Sequence, residues 1–226
     1  EGAAAIVLPG TKSTIADLGW LRESGMAAAL VARAAAGTPV LGVCGGSQML
    51  GRRIHDPEHV ESDAGSVAGL GLLDAETTFG GDKRTVRVEG ELLSLTGPHA
   101  PLAGALGPAG TPLHGYEIHM GRSVAVDGAT GLFEITSRNG ARCSVDDGAV
   151  GSDGAVVGTM IHGLFEHASL REGLVESLRR RKSLPGSAVA SSVPSRDAEY
   201  DRLAETVRRH VDGPLLHRIA RTRVST

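Results

Sequence analysis

Cys44 stands among glycines in "VLGVCGGSQMLG", the stretch from Val40 to Gly51, at the end of an apolar run. Gly42-x-Cys44-x-Gly46 between a strand-like and a helix-like segment is the cysteine form of a nucleophile elbow. Such a turn is strained, and glycines around the nucleophile avoid the clashes that side chains would make. The turn pushes the sulfur out at the carboxyl edge of a sheet, and the following helix offers its positive N-terminus. That end lowers a thiol pKa, so the spacing predicts a Cys44 thiolate near neutral pH. The Gly45 N–H is placed to hold an oxyanion. A small buried cysteine with no chemistry fits the same residues, because free cysteine is among the most buried types.

A nucleophile of this kind needs a base. "TMIHGLFEH" places His162 after an apolar strand and before a glycine, where a strand end exposes its side chain. With nine histidines in the chain, a loop histidine without a role is the plain alternative. A strand-end cysteine followed later by a strand-end histidine makes a Cys/His dyad. "LPGT" ends the first apolar run at Gly10. If that strand lies beside the nucleophile strand, the Gly10 N–H becomes a second oxyanion donor; an ordinary strand-to-helix turn is the alternative.

Stepwise along the chain, the elements that must position these residues alternate. "AAAIVLPG" reads as a buried strand, "IADLGWLRES" and "MAAALVARAAAG" as helices parted by Gly25, "PVLGVC" as a second buried strand and "GSQMLGRRI" as a helix. Strand, helix, strand, helix implies parallel strands with crossover helices. After a polar loop, "HDPEHVESDAGSVAG", come strand-like pieces: "LGLLDAETTF", "KRTVRVEG", "GYEIHMGRS", "GLFEIT" and "AVVGTMIHG". Glu91 to Leu113, rich in Gly, Pro and Ala, reads as a mobile insertion. Cys143 falls in a polar stretch, "SRNGARCSVDDG". A helix follows from His167 to Lys182, then a linker over 183–195, then an amphipathic helix with Tyr200, Leu203, Val207 and Val211 on one face.

The 226 residues suit one large α/β domain or two small ones. Aromatics are only 3%, so the core must be mostly Ala, Val, Leu and Ile. With a formal net charge of -3, no basic block and few aromatics, little is available to hold a phosphate backbone or stack bases, so no nucleic-acid partner is expected. The opening apolar run is too short for a signal h-region or a membrane span. Two cysteines in a chain this size need no disulfide, and a cytoplasmic protein with free thiols and no membrane partner is expected.

Taken together, "LPGTKSTIADLGWLRESG", "GVCGGSQMLG", "GLGLLDAETTF", "GYEIHMGRS", "GTMIHGLFEH" and "YDRLAETVRRHVD" resemble the CobQ-type class I glutamine amidotransferase domain, the glutaminase part of cobyric acid synthases. The matches run in family order over nearly the whole chain, and "GYEIHMG" is the most specific. The resemblance implies a flavodoxin-like, open, mostly parallel sheet, with the first strand and helix of the family fold expected to be missing from this chain. It implies an amidotransferase domain over 1–182, a linker over 183–195, and a helical segment over 196–226 packing on the same domain. Cys44 would attack the side-chain amide of L-glutamine, His162 would serve as base and acid, Gly10 and Gly45 would form the oxyanion hole, and Gln48 would contact the substrate. "GYEIHMG" would line the mouth of the site, with no role assigned to Glu117 or His119. The ammonia would amidate corrin carboxylates activated by ATP, in cobalamin biosynthesis.

Several positions depart from the family pattern. Where many relatives have H-x-E, this chain has Leu164, and the nearest acid is Glu166. Ser47 and Met160 stand where tyrosine is usual. No G-x-x-x-x-G-K-[ST] occurs, so ATP and Mg are expected only in a synthetase domain or partner subunit, and this chain itself is expected to carry no cofactor or metal. A related amidotransferase acting on another acid, such as a cobyrinic acid diamide synthase or a cell-wall amidating subunit, is one alternative. A non-catalytic truncated module is another. If the first strand of the family fold is missing, Ala3 to Leu8 is left as an apolar sheet edge.

Overall fold

The computed structural model describes residues 2–94, 102, 105–185 and 196–221. The chain forms two units, Glu1–Gly186 and Ser187–Thr226.

The first unit begins with β1 (Ile6–Leu8), α1 (Thr14–Glu23), α2 (Met26–Ala35), β2 (Val40–Val43) and α3 (Gly45–Leu50). β1, β2 and β10 (Val156–Thr159) pair in parallel, and β9 (Ala149–Val150) adds an antiparallel edge, in the order β1-β2-β10-β9. Near-continuous apolar runs in β2 and β10 reflect a sheet covered on both faces. Val40 and Val156 face a core built with Leu18, Leu30 and Leu50, while Leu41 and Val157 face a second core with Phe133, Ile135 and Leu170. β1 is one edge of this sheet, with Val7 51% exposed.

The second sheet is mostly antiparallel. It contains β3 (Arg53–His55), β4 (Ser66–Ala68), β5 (Ala75–Leu92), β6 (Pro112–Ala125), β7 (Phe133–Arg138), β8 (Ala141–Asp147) and β11 (Ile161–His162). A 3-10 turn at Leu164–Glu166 leads into α4 (Ala168–Arg181).

Three readings of the sequence change here. The helix after Cys44 stops at Leu50, and Arg53–His55 is strand: Gly51 turns extended (φ -63, ψ 179), and Ile54 is buried between β4 and β5. Cys143 lies within β8, on a hairpin whose Asn139-Gly140 turn has positive φ at both residues, as a tight two-residue turn requires. The Glu91 to Leu113 segment is partly core, since Leu92, Leu102, Leu106 and Leu113 pack with Leu170 and Leu174; its residues 95–101, 103 and 104 lie outside the described set.

The second unit holds α5 (Arg196–His210) and α6 (Gly213–Arg221). Arg209 bonds Glu205 one turn away, and the Asp212 side chain caps α6 through the Leu215 N–H. Most of the 183–195 linker lies outside the described residues.

Candidate active site

β2 ends in Val43, and Cys44 then takes φ 51, ψ -117, a backbone conformation that costs a non-glycine residue about 1–3 kcal/mol. The surroundings hold it there. The Cys44 N–H donates to the Thr159 carbonyl at 2.8 Å, and the Gln48 N–H donates to the Cys44 carbonyl at 3.0 Å. A Cβ at Gly46 would stand 2.0 Å from the Leu8 carbonyl oxygen, and one at Gly42 would stand 2.6 Å from Leu50 and 2.8 Å from the Ser47 backbone. Only glycine lets α3 pack this closely on β1 and β2.

Gly10 lies between the two expected catalytic side chains. A methyl group there would be 3.3 Å from both Cys44 Cβ and His162 Cε1. His162 ends β11, which pairs with β6 so that His162 faces Tyr116 in register. The two rings stack with centroids 5.4 Å apart and 5° between planes. The structure therefore brings Cys44, His162, Gly10 and Gly45 to one place, from three separate stretches of sequence.

The resting protons differ from the expectation. Burial pushes the Cys44 thiol up, the Gly45 N–H pulls it down, and Glu61 pushes it up again; the balance is a pKa above the ordinary thiol value. The helix end exists as predicted, but its effect is outweighed, because removing a thiolate from water costs more than one N–H returns. Cys44 Sγ donates to the Ile118 carbonyl at 3.4 Å. Burial lowers the His162 pKa, against the Ile118 carbonyl, which favours the charged ring. The pair rests as neutral thiol and neutral imidazole. His162 Nε2 is buried with no hydrogen-bond partner, free to take a proton.

Gln48 is buried, with its amide engaged at both ends. It accepts from Thr14 Oγ1 at 3.2 Å and donates to the Met120 carbonyl at 3.3 Å, so it ties α1 to β6. No carboxylate stands two residues beyond His162: Leu164 is apolar and buried.

Strand alternation in β6 separates two chemistries. Tyr116 lies against His162, while Glu117 and His119 line a cavity of about 670 Å³ with Ser47, Arg138, Asp147 and Met160. Glu117 accepts from Arg138 Nε at 2.8 Å and Nη2 at 3.1 Å. Burial alone would raise its carboxyl; facing His119 and Arg138 reverse this and hold it at about 2. His119 Nε2 is 3.6 Å from Glu117, too long for a hydrogen bond. Asp147 is buried, and burial lifts it to about 6 in spite of bonds from Thr159 and Met160. Asp147 and Arg138 carry no local motif, so they escaped the reading of the sequence. The Asn-Gly turn between β7 and β8 was the available signal that this stretch is a hairpin entering the sheet.

A family profile described as the CobB/CobQ-like glutamine amidotransferase domain matches residues 1–170. The chain is 51% identical over 221 residues to a cobyric acid synthase of Sorangium cellulosum (strain So ce56), covering 96% of this chain and 42% of that protein. It is 43% identical over 207 residues to a cobyric acid synthase of Dehalococcoides mccartyi (strain CBDB1), covering 92% of this chain and 39% of that one. The chain thus spans about two fifths of the length of these relatives. A crystal structure of a glutamine amidotransferase shares the fold, with TM-score 0.50, 20% identity, and 79% and 80% of the two chains covered.

Proposed function

Because the chain belongs to the CobB/CobQ-like glutamine amidotransferase domain family, we propose that it is the glutamine-hydrolysing domain of a cobyric acid synthase, supplying ammonia for amidation of corrin carboxylates. The observation that carries this reading is Gly10 set between a positive-φ cysteine and an imidazole whose Nε2 has no hydrogen-bond partner. In this reading Cys44 Sγ bonds to the side-chain carbonyl carbon of L-glutamine as His162 takes the thiol proton. The carbonyl oxygen becomes an oxyanion held by the Gly45 and Gly10 N–H groups. The C–N bond breaks, His162 returns the proton to the leaving ammonia, and a γ-glutamyl thioester remains. Water then attacks, with His162 again taking the proton, and glutamate leaves as the thiol reforms.

The neutral resting pair suits this sequence of events. A neutral imidazole is the form that accepts a proton, and the thiol gives its proton up only as it attacks. Tyr116 holds the imidazole plane from one side. Gln48 keeps α1 and β6 on either side of the bound amino acid. ATP-dependent activation of the corrin acid is the task of the remainder of the synthase, in the same polypeptide or a partner.

Purified chain incubated with L-glutamine should release glutamate and ammonia, and Cys44→Ala should not. Glutamate release that persists in Cys44→Ala would end this reading.

A further inference from the structure

We infer that Asp147 is the positioning residue of the Cys44–His162 pair: a buried carboxylate that clasps the joint where the chain crosses from one sheet to the other. The inference rests on the glutaminase reading above and adds a residue that the elbow and the histidine motif do not contain.

The chain crosses between the sheets twice at this point. β8, in the antiparallel sheet, ends at Asp147, and the chain passes through Gly148 into β9 of the parallel sheet. β10 of the parallel sheet ends at Thr159, and the chain passes through Met160 into β11 of the antiparallel sheet. The crossings are packed against each other: a Cβ at Gly148 would stand 2.2 Å from the Gly158 carbonyl oxygen. Asp147 joins them. One carboxylate oxygen accepts from Thr159 Oγ1, and the other accepts from the Met160 N–H at 3.1 Å. Thr159 Oγ1 in turn accepts from the Ile161 N–H at 3.0 Å.

Both halves of the catalytic pair hang from this joint. The Thr159 carbonyl accepts the Cys44 N–H at 2.8 Å, which fixes the strained nucleophile. His162 follows Met160 by two residues and ends the short strand that the joint launches. A carboxylate that bonded the imidazole directly would set its orientation through the ring; Leu164 occupies the place where one is expected. Asp147 instead acts on the backbone that carries both groups.

Stability alone does not account for an acid here. Enclosing a carboxylate is costly, and an apolar residue of similar volume is often as stable. The ionised form matters because it alone accepts from Thr159 and Met160 together while Thr159 Oγ1 stays open to Ile161. A protonated carboxyl, or an asparagine, must donate from one side and so reverses the Thr159 bond. The charged and titratable groups facing Asp147 are Glu117 and His119 from β6 and Arg138 from β7.

The test compares wild-type chain with Asp147→Asn, Thr159→Val and Thr159→Ser in glutamine hydrolysis from pH 5 to 8. Asp147→Asn should lower kcat about tenfold or more with KM nearly unchanged, since small displacements of reacting groups cost this much. It should also remove the Asp147 contribution to the acid-side loss near pH 6, leaving only the fall that protonation of His162 itself causes. Thr159→Val should copy it, Thr159→Ser should restore most of the rate, and the double variant Asp147→Asn/Thr159→Val should be no slower than either single one. Wild-type kcat and pH profile in folded Asp147→Asn would overturn the inference, as would a purely additive double variant. If Asp147→Asn does not fold, the Thr159 pair decides by the same criteria. Wild-type chain that hydrolyses no glutamine would sink the glutaminase reading itself, whereas active wild type with indifferent variants would sink only the role of Asp147.

Discussion

The two cysteines make the same kind of carbonyl contact and differ in backbone and in burial. Cys44 donates to the Ile118 carbonyl at 3.4 Å and is buried, whereas Cys143 donates to the Ile135 carbonyl at 3.5 Å and is half-buried against the core. Cys143 sits within β8, where the ladder to β7 sets an ordinary extended backbone. Cys44 sits one residue past β2, at φ 51, with the Gly45 N–H facing its sulfur and an imidazole across Gly10. A carbonyl contact therefore does not mark a nucleophile. The turn and the neighbours it gathers do.

The largest effect expected from this contrast is at the sulfur atoms. Cys44→Ala should cut glutamine hydrolysis by about 10⁴-fold or more, while Cys143→Ser should leave the rate unchanged. A glutamine-like electrophile should modify Cys44 and spare Cys143, with glutamine protecting, as read by mass spectrometry. Equal labelling of both would erase the comparison.

Next come the glycines of the two turns. Gly46→Ala drives a methyl group into the Leu8 carbonyl, so it should destabilise by about 3 kcal/mol or more and abolish activity. Gly140→Ala, at φ 82 with no atom within 4 Å of the new Cβ, should cost only about 1 kcal/mol and leave the rate intact. Chemical denaturation of both variants measures the difference, and equal losses would show that the elbow is no more constrained than the hairpin.

The resting charge of Cys44 sharpens the comparison further. With its pKa raised by burial, its alkylation by a small neutral reagent should keep rising with pH into the alkaline range, with no plateau near neutrality. A plateau below pH 7 would mean that a thiolate–imidazolium pair exists before substrate binds.

The smallest effects concern the two buried acids behind β6. Glu117 has its pKa lowered to about 2 from an ordinary 4.5, so its contribution to stability is present above 4.5 and is lost as pH falls toward 2. Asp147 has its pKa raised to about 6 from 3.8, so its contribution is fully present below 3.8 and is lost as pH rises through 6. Thermal unfolding against pH should show Glu117→Gln flattening the acid side of the curve and Asp147→Asn flattening the interval between about pH 4 and 6. Exchange of these two behaviours would contradict the ion pair assigned to Glu117.

Much of the site was legible because its chemistry is local. Gly42-x-Cys44-x-Gly46 encodes its own turn through steric exclusion, and a Pro-Gly after a short apolar run and a histidine after another mark strand ends. The parallel order of β1, β2 and β10 follows from apolar runs separated by helices. The second sheet was less legible: its strands are polar on one side, and their partners lie far away in sequence. Arg52-Arg53-Ile54 continued a helical pattern, yet Arg53–His55 is strand because β4 and β5 bury Ile54 between them. Glu117, Arg138 and Asp147 could not be joined by reading along the chain, because a pair register brings them together and no spacing announces it.

The sequence by itself determined the elbow, which depends on the sterics of a few adjacent residues, and it carries the motifs by which the chain resembles its family. Tertiary structure alone decided where the protons rest. A helix N-terminus and one N–H favour the Cys44 thiolate, but the sheet crossing encloses the sulfur, and loss of solvent outweighs both. That balance is set by atoms from β1, β6, β11 and the Glu61 loop, which meet only once the chain has folded.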